Sequence, residues 1–175
     1  MFNKQERLQG RLEPEIREFR DASQTLVLAT VDNEGTPNVS YAPFALLEDG
    51  YYILISEMAR HTKNLLTNPK ISLMMVADEQ DSRTLFARKR LTFDARPERV
   101  TRNSPEWQAG IDALRARFDD TIDGLSKLED FHLFRLVPLK GLFVKGFGQA
   151  FAVSGDDLVD VLHLTDGHRP VASAS

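Results

Sequence analysis

Three short apolar runs near the start of the chain, each ended by turn residues, constrain the fold most strongly. The runs are QTLVLATV (24–31), NVSYAPF (38–44) and YYILIS (51–56), and DNEGTP and LEDG separate them. Short runs rich in β-branched and aromatic residues are typical of strands, and the Gly, Pro, Asn and Asp residues between them are typical of tight turns. The pattern predicts a meander of antiparallel strands.

The remainder of the chain continues this strand pattern. Further strands are predicted at 70–77, 84–100, 131–138 and 140–153. Six or more strands with few helices favour a mainly β fold of the α+β kind, in which about six antiparallel strands close into a barrel with flanking helices.

Three segments carry helical signals instead. The segment 3–20 contains Pro14, which is expected to restart its helix at a first-turn position. A short helix is predicted at 60–69, and a longer one at 104–118 begins with the capping residue Ser104. Apolar residues at helical spacing form one stripe on each long helix: Leu8, Leu12, Ile16 and Phe19 on the first, and Trp107, Ile111, Leu114 and Phe118 on the second.

Length and composition exclude several classes of protein. A chain of 175 residues is expected to form one domain, 1–175, with a C-terminal segment at 154–175. The absence of cysteine excludes disulfides, thiolate-ligated zinc or iron–sulfur clusters, and haem attached through cysteines. The net charge of −4 gives no reason to expect nucleic acid or an anionic membrane as partner. With no signal peptide and no run of roughly 20 apolar residues, a cytoplasmic location is expected by elimination.

One predicted strand carries closely spaced arginines. In FARKRLTFD (86–94), alternation places Arg88, Arg90, Thr92 and Asp94 on one face. Two guanidiniums about 6.6 Å apart along a strand suit a ligand with separated anionic groups. The alternative is a solvated face whose arginines pair with acids, and the residues alone favour this alternative somewhat.

A second cationic group lies where the predicted helix at 60–69 begins. Ser56, Arg60, His61 and Lys63 are expected near its N-terminus, where free N–H groups favour anions. The alternative is helix capping with surface charge. Because Arg and Lys oppose the helix dipole at this end, their presence mildly favours a ligand.

The four histidines, at positions 61, 132, 163 and 168, do not form an H-E-x-x-H zinc motif. His132 lies in a predicted strand and is most simply a packing or surface residue. His168 lies in LTDGHRP near the chain's end, where an imidazole on a loop could reach another element or another subunit. A histidine in such a tail is by itself more often an idle surface residue.

Taken together, several stretches resemble the HugZ/HutZ haem-utilisation family, within the FMN-binding split-barrel superfamily that contains pyridoxamine 5′-phosphate oxidase. The resemblance covers nearly the whole chain. The matching stretches are ERLQGRLEPEI, NVSYAPF, ARH with the following TKNLLTNPKISLMM, LFARKRLTFD, IDGLS, GLFVKGFGQA, SGDDLVD and GHR.

The resemblance implies a homodimeric split β-barrel that binds haem b without a covalent link near the subunit interface. It implies a haem-degrading enzyme that opens the porphyrin ring with O₂ and an external electron donor and releases iron. His168 would be the axial ligand to the haem iron, and Asp130 would reach it from the other subunit. Arg90 would lie beside the haem, and His61 close to the site.

Two alternatives remain open at the level of sequence. The first is an FMN-dependent oxidase or reductase on the same fold, in which Ser56, Arg60, His61 and Lys63 hold the FMN phosphate. The second is a dimer that carries or stores haem without degrading it. One fold supports many activities, so the fold alone does not choose among them.

Overall fold

The structure is a computed structural model that describes residues 3–156, 159–160 and 171–172. The two C-terminal histidines, His163 and His168, lie outside the described residues. Among the helices of the described residues, none is both long enough and apolar enough to cross a membrane.

The described residues form nine strands and four α-helices, with two short 3₁₀ turns before β6. In chain order they are α1 (Lys4–Ala22), β1 (Thr25–Val31), β2 (Pro37–Pro43), β3 (Ala45–Leu47), β4 (Gly50–Ser56), α2 (Arg60–Thr67), β5 (Ile71–Val76), the 3₁₀ turns Glu79–Asp81 and Leu85–Ala87, β6 (Arg90–Arg99), α3 (Pro105–Phe118), α4 (Thr121–Leu125), β7 (Phe131–Gly146), β8 (Gln149–Ser154) and β9 (Val159–Asp160).

The strands form one antiparallel sheet in the order β2-β1-β5-β6-β7-β4-β3, with β8 paired to β7 and β9 paired to β8. The mainly β fold with flanking helices is therefore confirmed, with nine described strands in place of about six. The expected closure is wrong, because within the described residues no ladder joins β2 to β3. Pro37 and Pro43 suit β2 to an edge position, since proline has no N–H to donate to a further strand.

Two apolar cores lie on opposite sides of the sheet. The first lies on the side of the sheet that α1 covers and includes Leu8, Leu12 and Ile16 of that helix. The second lies between α3 and the other face of β4 and β7. At Gly110 a Cβ would lie 2.5 Å from a Tyr52 ring carbon, so the glycine lets α3 pack directly on the sheet. The two helical stripes predicted from the sequence face these cores.

The helix α1 is continuous through Pro14, so the expected restart at that residue is wrong. It begins instead at Asn3, whose side chain accepts the Glu6 N–H while the Glu6 carboxylate accepts the Asn3 N–H. Buried residues on both sides of the proline, Leu12 and Ile16, hold the two halves of the helix against the same core.

Two strand boundaries also differ from the prediction. The strand predicted at 84–100 begins only at Arg90, because residues 85–87 form a 3₁₀ turn in which the Thr84 hydroxyl accepts the Phe86 N–H. The strands predicted at 131–138 and 140–153 are divided differently, as one 16-residue strand β7 followed by β8. Pairing with β6 carries β7 past Pro138, with a shift of register between Phe93 and Ala95.

Candidate functional site

The ends of β4 and β7 bring Asp130 and Ser56 together. Ser56 pairs with Phe131, so Asp130 lies one residue beyond the ladder. The Ser56 hydroxyl donates to Asp130 Oδ2 at 2.9 Å, and the Glu57 N–H donates to the Asp130 carbonyl at 2.8 Å. Within the described part of the chain, Ser56 is the only side chain that hydrogen bonds to this carboxylate. Asp130 Oδ1 can therefore accept a proton donor from a ligand or from another segment.

A chain of three polar side chains lies beside this strand end. His132 is buried, with 7% of its surface exposed. Its Nδ1 lies 3.0 Å from Arg99 Nη2, and its Nε2 is hydrogen bonded to Glu57 Oε1. Because a guanidinium only donates, Nδ1 accepts from Arg99 and the Nε2–H donates to Glu57. The two contacts together select the neutral Nε2–H tautomer of His132.

The sequence pattern had placed His132 among packing or surface residues, and its burial confirms the packing role. Its charged partners, by contrast, were missed. Glu57 lies 75 positions away and Arg99 lies 33 positions away, so no local spacing could reveal them. The only signal in the sequence was a lone imidazole on the apolar face of a predicted strand.

Arg102 fixes the loop that leads into Asp130. Its guanidinium carbon lies 4.4 Å from the centre of the Trp107 ring, which is a cation–π contact. The same guanidinium donates to three backbone carbonyls of the loop, those of Ser126, Leu128 and Phe131. A cleft of about 360 Å³ opens here, lined by Arg99, Val100, Thr101, Arg102, Trp107, Glu129 and His132.

The cluster predicted at the start of α2 is not formed as expected. Ala59 is the N-cap residue, and no side chain caps the helix. Ser56 turns to Asp130, whereas Arg60 Nη2 lies 3.9 Å from Asp32 Oδ2. Lys63 is exposed to solvent. Because the contacts of these side chains diverge, the start of α2 does not present one assembled anion site in the described structure.

His61 points away from solvent. It is half-buried, and its Nε2 is inaccessible and lacks a hydrogen-bond partner among the described residues. Burial lowers the pKa of the His61 imidazole, because desolvation penalises the charged form. A buried nitrogen without a partner is uncommon, so His61 is a candidate to contact a bound ligand.

The arginines of the predicted strand face are separated by the delayed start of β6. Arg88 lies before the strand, and its Nε donates to the Ala77 carbonyl at 2.9 Å. The expectation that Arg88 shares a strand face with Arg90 is therefore wrong. Arg90 Nη1 donates to the Arg88 carbonyl at 3.2 Å. Neither arginine forms an ion pair with an acid within the described residues, so the alternative of acid pairing has no support there.

Arg90 lies on an apolar face of the sheet that points away from the first core. Directly paired residues of an antiparallel sheet share a face. We define the outer face by one row of such residues across five strands: Tyr41, Val27, Met74, Thr92 and Leu142. Tyr41 is 68% exposed and its neighbour Val39 is 73% exposed. Arg90, paired with Val76, places a guanidinium on the same face.

The structure brings Asp130 and Ser56 together. Within the described residues, no hydrogen bond or ion pair joins Arg90 to Asp130, His61 or Lys63. The predicted iron ligand His168 lies outside the described residues, so its distance from Asp130 is not defined. Among the described residues, no group of three or more His, Asp or Glu side chains is arranged to hold a metal ion.

A family model described as pyridoxamine 5′-phosphate oxidase matches residues 12–145 of the chain. This span includes Ser56, Arg90 and Asp130.

Individual relatives carry haem-related names. The chain is 61% identical over 170 residues to Heme oxygenase HutZ of Vibrio cholerae, covering 97% of each protein. It is 33% identical over 152 residues to the chloroplastic Non-canonical heme oxygenase HOZ of Arabidopsis thaliana, covering 84% of this chain but only 45% of that protein. A crystal structure of HutZ from Vibrio cholerae, described as a haem storage protein, has a TM-score of 0.73 at 57% identity and covers 76% of this chain and 94% of that one.

Proposed function

The chain belongs to the pyridoxamine 5′-phosphate oxidase family, and two of its relatives are named heme oxygenases. We therefore propose that it degrades haem. It binds haem b without a covalent link, opens the porphyrin ring with O₂ and an external electron donor, and releases iron. The observation that carries this proposal is the 61% identity, over 97% of both chains, to a protein named heme oxygenase.

The described residues fit haem as a substrate. Haem offers a flat apolar ring, two carboxylates and an iron that takes a nitrogen ligand. The outer face supplies apolar surface on Val27, Met74 and Leu142, and Arg90 supplies a cation on the same face. Asp130 retains an oxygen that can accept the N–H of a ligating imidazole. These features suit haem better than a phosphate, because the cations at the start of α2 diverge.

His168 is the residue that we propose as axial ligand to the iron. Asp130 accepts the Nδ1–H of His168 of the partner subunit, which fixes the tautomer and orientation of that imidazole. A carboxylate in this position also makes the imidazole a stronger donor to iron. Ser56 holds Asp130 Oδ2, so Oδ1 is the oxygen that remains for the histidine.

The basic residues are proposed to act on the carboxylates of haem or on an anion at the iron. Arg90 makes the direct contact, because it lies on the outer face. Arg88 supports it, since the Arg88 carbonyl accepts from Arg90 and the Arg88 side chain is anchored at Ala77. Lys63 is exposed and free to approach a carboxylate, and His61 contacts the ligand through its buried ring nitrogen.

A homodimer is part of the proposal. The outer face leaves Val39 and Tyr41 largely exposed in the single chain, and exposed apolar patches commonly mark protein interfaces. A second copy of the chain would cover this face, and a two-fold axis would then bring the tail of one subunit to the site of the other. A cytoplasmic location and a single domain over 1–175 stay predictions.

When bound, haem would supply the redox chemistry of ring opening, and the residues proposed to hold it are His168, Asp130 and Arg90. The protein contributes binding, orientation of His168, and control of water and anions near the iron. In this proposal no side chain acts as a nucleophile.

Haem storage is a second candidate, favoured by the description of the Vibrio cholerae crystal structure. Titration of the apoprotein with hemin, followed by a reductant in air, separates the candidates. Degradation predicts a Soret band that appears on titration and decays after reduction, with release of chelatable iron. A Soret band that persists supports storage. Affinity for FMN with no Soret band would favour the flavin enzyme and contradict both.

Mixing two inactive variants tests the pairing between subunits. If Asp130 and His168 come from different subunits, a heterodimer of Asp130→Ala and His168→Ala has one intact site and one doubly altered site. Random exchange makes roughly half of the dimers mixed, so about a quarter of all sites recover. Mixtures that stay as inactive as their parents, after exchange has been verified, would contradict the pairing.

A further inference from the structure

The Glu57–His132–Arg99 chain connects the site to the body of the sheet. Glu57 follows β4, His132 lies near the start of β7, and Arg99 is the last residue of β6. His132 links the other two side chains through its two ring nitrogens. Three neighbouring strands are therefore tied together at the edge where β4 ends and β7 begins.

Glu57 is held at both its backbone and its side chain. Its N–H donates to the Asp130 carbonyl at 2.8 Å, and its carboxylate accepts from His132. Ser56, the preceding residue, donates to the Asp130 carboxylate at 2.9 Å. Fixing Glu57 thus limits the movement of both residues that contact Asp130.

Strand ends are the places where a sheet frays most easily, because each residue there has fewer neighbours to hold it. The residues 56 and 57 leave the β4–β7 ladder at this point. A buried imidazole that bridges an anion and a cation is well suited to prevent fraying, because leaving either hydrogen bond unmade costs free energy.

We propose that Glu57, His132 and Arg99 are positioning residues, which hold Ser56 and Asp130 in one arrangement and so keep the Asp130 carboxylate aimed at its partner. The consequence for catalysis rests on the proposed function, whereas the ordering of the strand end does not require haem. The trio does not touch the substrate in this proposal and acts through Asp130.

The haem-free protein gives the first test, by amide hydrogen exchange and ¹⁵N NMR. The wild-type His132 ring is expected as the neutral Nε2–H tautomer. In His132→Phe the Glu57 N–H is expected to exchange about tenfold faster or more, because the strand end opens locally. His132→Gln, which keeps a donor and an acceptor, restores most of the protection. Amides at the Tyr52–Arg135 pair, near the opposite end of the ladder, serve as reference and stay unchanged.

Two variants at exposed arginines serve as a control, because substitutions of the buried His132 could unfold the protein. Arg99→Met removes the exposed arginine that hydrogen bonds to His132. Arg96→Met removes another exposed arginine of β6, whose partner is Glu98. Faster exchange at Glu57 in the first variant alone supports the proposal. Equal exchange in the two variants, or full protection in a folded His132→Phe protein, overturns it.

Haem turnover gives the second test. Glu57→Ala is expected to lower kcat about tenfold, as for other residues that orient the partner of a metal ligand, with haem affinity changed by less than threefold. Glu18→Ala, the same substitution at an exposed position of α1, leaves kcat unchanged. A wild-type protein that binds but does not degrade haem would contradict the proposed function, and the hydrogen-exchange test of the positioning residues would remain valid. If the wild-type protein degrades haem and the Glu57→Ala variant has the same kcat, only the positioning role of Glu57 is contradicted.

Discussion

Two polar clusters lie on or beside the same three strands of this sheet. They differ in how many side-chain hydrogen-bond partners their carboxylates have. We define the closed cluster as Asp49, Tyr52, Glu98 and Arg135, and the open cluster as Ser56, Glu57, Arg99, Asp130 and His132. In the closed cluster, Arg135 bonds to both Glu98 and Asp49, and the Tyr52 hydroxyl donates to Asp49 at 2.9 Å. In the open cluster the Asp130 carboxylate has a single side-chain partner among the described residues.

Side chains of the closed cluster, Glu98 and Arg135 among them, have shifted pKa values. The hydrogen bond from Arg135 holds the pKa of Glu98 below its ordinary value, and Glu98 in turn raises the pKa of Arg135. Shifted pKa values often accompany functional sites, but ion-pair networks that only stabilise a fold produce them as well. Here an incompletely satisfied carboxylate at a strand end is the better guide to function.

The largest expected effect is the loss of haem turnover when Asp130 of the open cluster is replaced, compared with Asp49 of the closed cluster. Asp130→Ala is expected to lower haem turnover about 100-fold, because the ligating imidazole loses the acceptor that orients it. Asp49→Ala is expected to change turnover by less than about threefold. Single-turnover decay of the Soret band measures both. A comparable loss in Asp49→Ala would remove the distinction between the clusters.

For the free energy of unfolding, substitutions in the closed cluster are expected to have the larger effect. Arg135→Met should lower the free energy of unfolding by about 2 kcal/mol, because it removes charge-assisted hydrogen bonds to two carboxylates. Arg96→Met, at a more exposed position, should cost less than about 0.5 kcal/mol. Urea unfolding followed by circular dichroism measures the difference. If Arg135→Met is as stable as Arg96→Met, the closed cluster does not stabilise the fold.

The pH dependence of stability sharpens the comparison further. Glu98 has a lower pKa in the folded chain than its ordinary value of 4.5, so its contribution is complete above that value and disappears as pH falls through the folded pKa. Wild-type protein should therefore lose more stability than Glu98→Gln between about pH 5 and pH 3. Parallel curves for the two proteins in urea unfolding would show that Arg135 does not couple to this carboxylate.

The smallest expected effect is the change in unfolding free energy with pH that comes from His61, which belongs to neither cluster. Burial lowers its pKa, so the unfolded chain binds a proton at a higher pH than the folded chain does. The haem-free protein should lose stability as pH falls below the ordinary histidine value of 6.5, down to the folded pKa. His61→Phe should lose less over that range. Unfolding free energies at several pH values check the sign, and a wild-type protein that gains stability on acidification would contradict it.

Much of the fold was predictable because its signals are local. Short apolar runs rich in β-branched and aromatic residues, ended by turn residues, marked β1 and β4. Ser104, which accepts the Trp107 N–H at 3.1 Å, marked the start of α3. The delayed start of β6, which separates Arg88 from Arg90, has a local cause too, because residues 85–87 form a turn in which the Thr84 hydroxyl accepts the Phe86 N–H.

Part of the site was predictable by resemblance, and part was not. The family motifs pointed to Arg90 and Asp130, while their geometry and that of His168 stayed predictions at that stage. The contact of Asp130 with Ser56 joins residues 74 positions apart. The contacts of His132 also join residues far apart in sequence, 75 positions to Glu57 and 33 to Arg99, and nothing in the FHLFRL stretch distinguishes its imidazole from an ordinary packing residue.

The sequence by itself determined which segments become strands and helices, because burial and capping leave their periodicities and end signals in neighbouring residues. Only the tertiary structure decided which polar groups meet and which stay open. That outcome depends on the register between strands that are far apart in the chain, such as Ile55 against His132 and Arg99 against Phe134. Register is set by the packing of whole strands, so the difference between the closed and the open cluster appears only once the sheet is assembled.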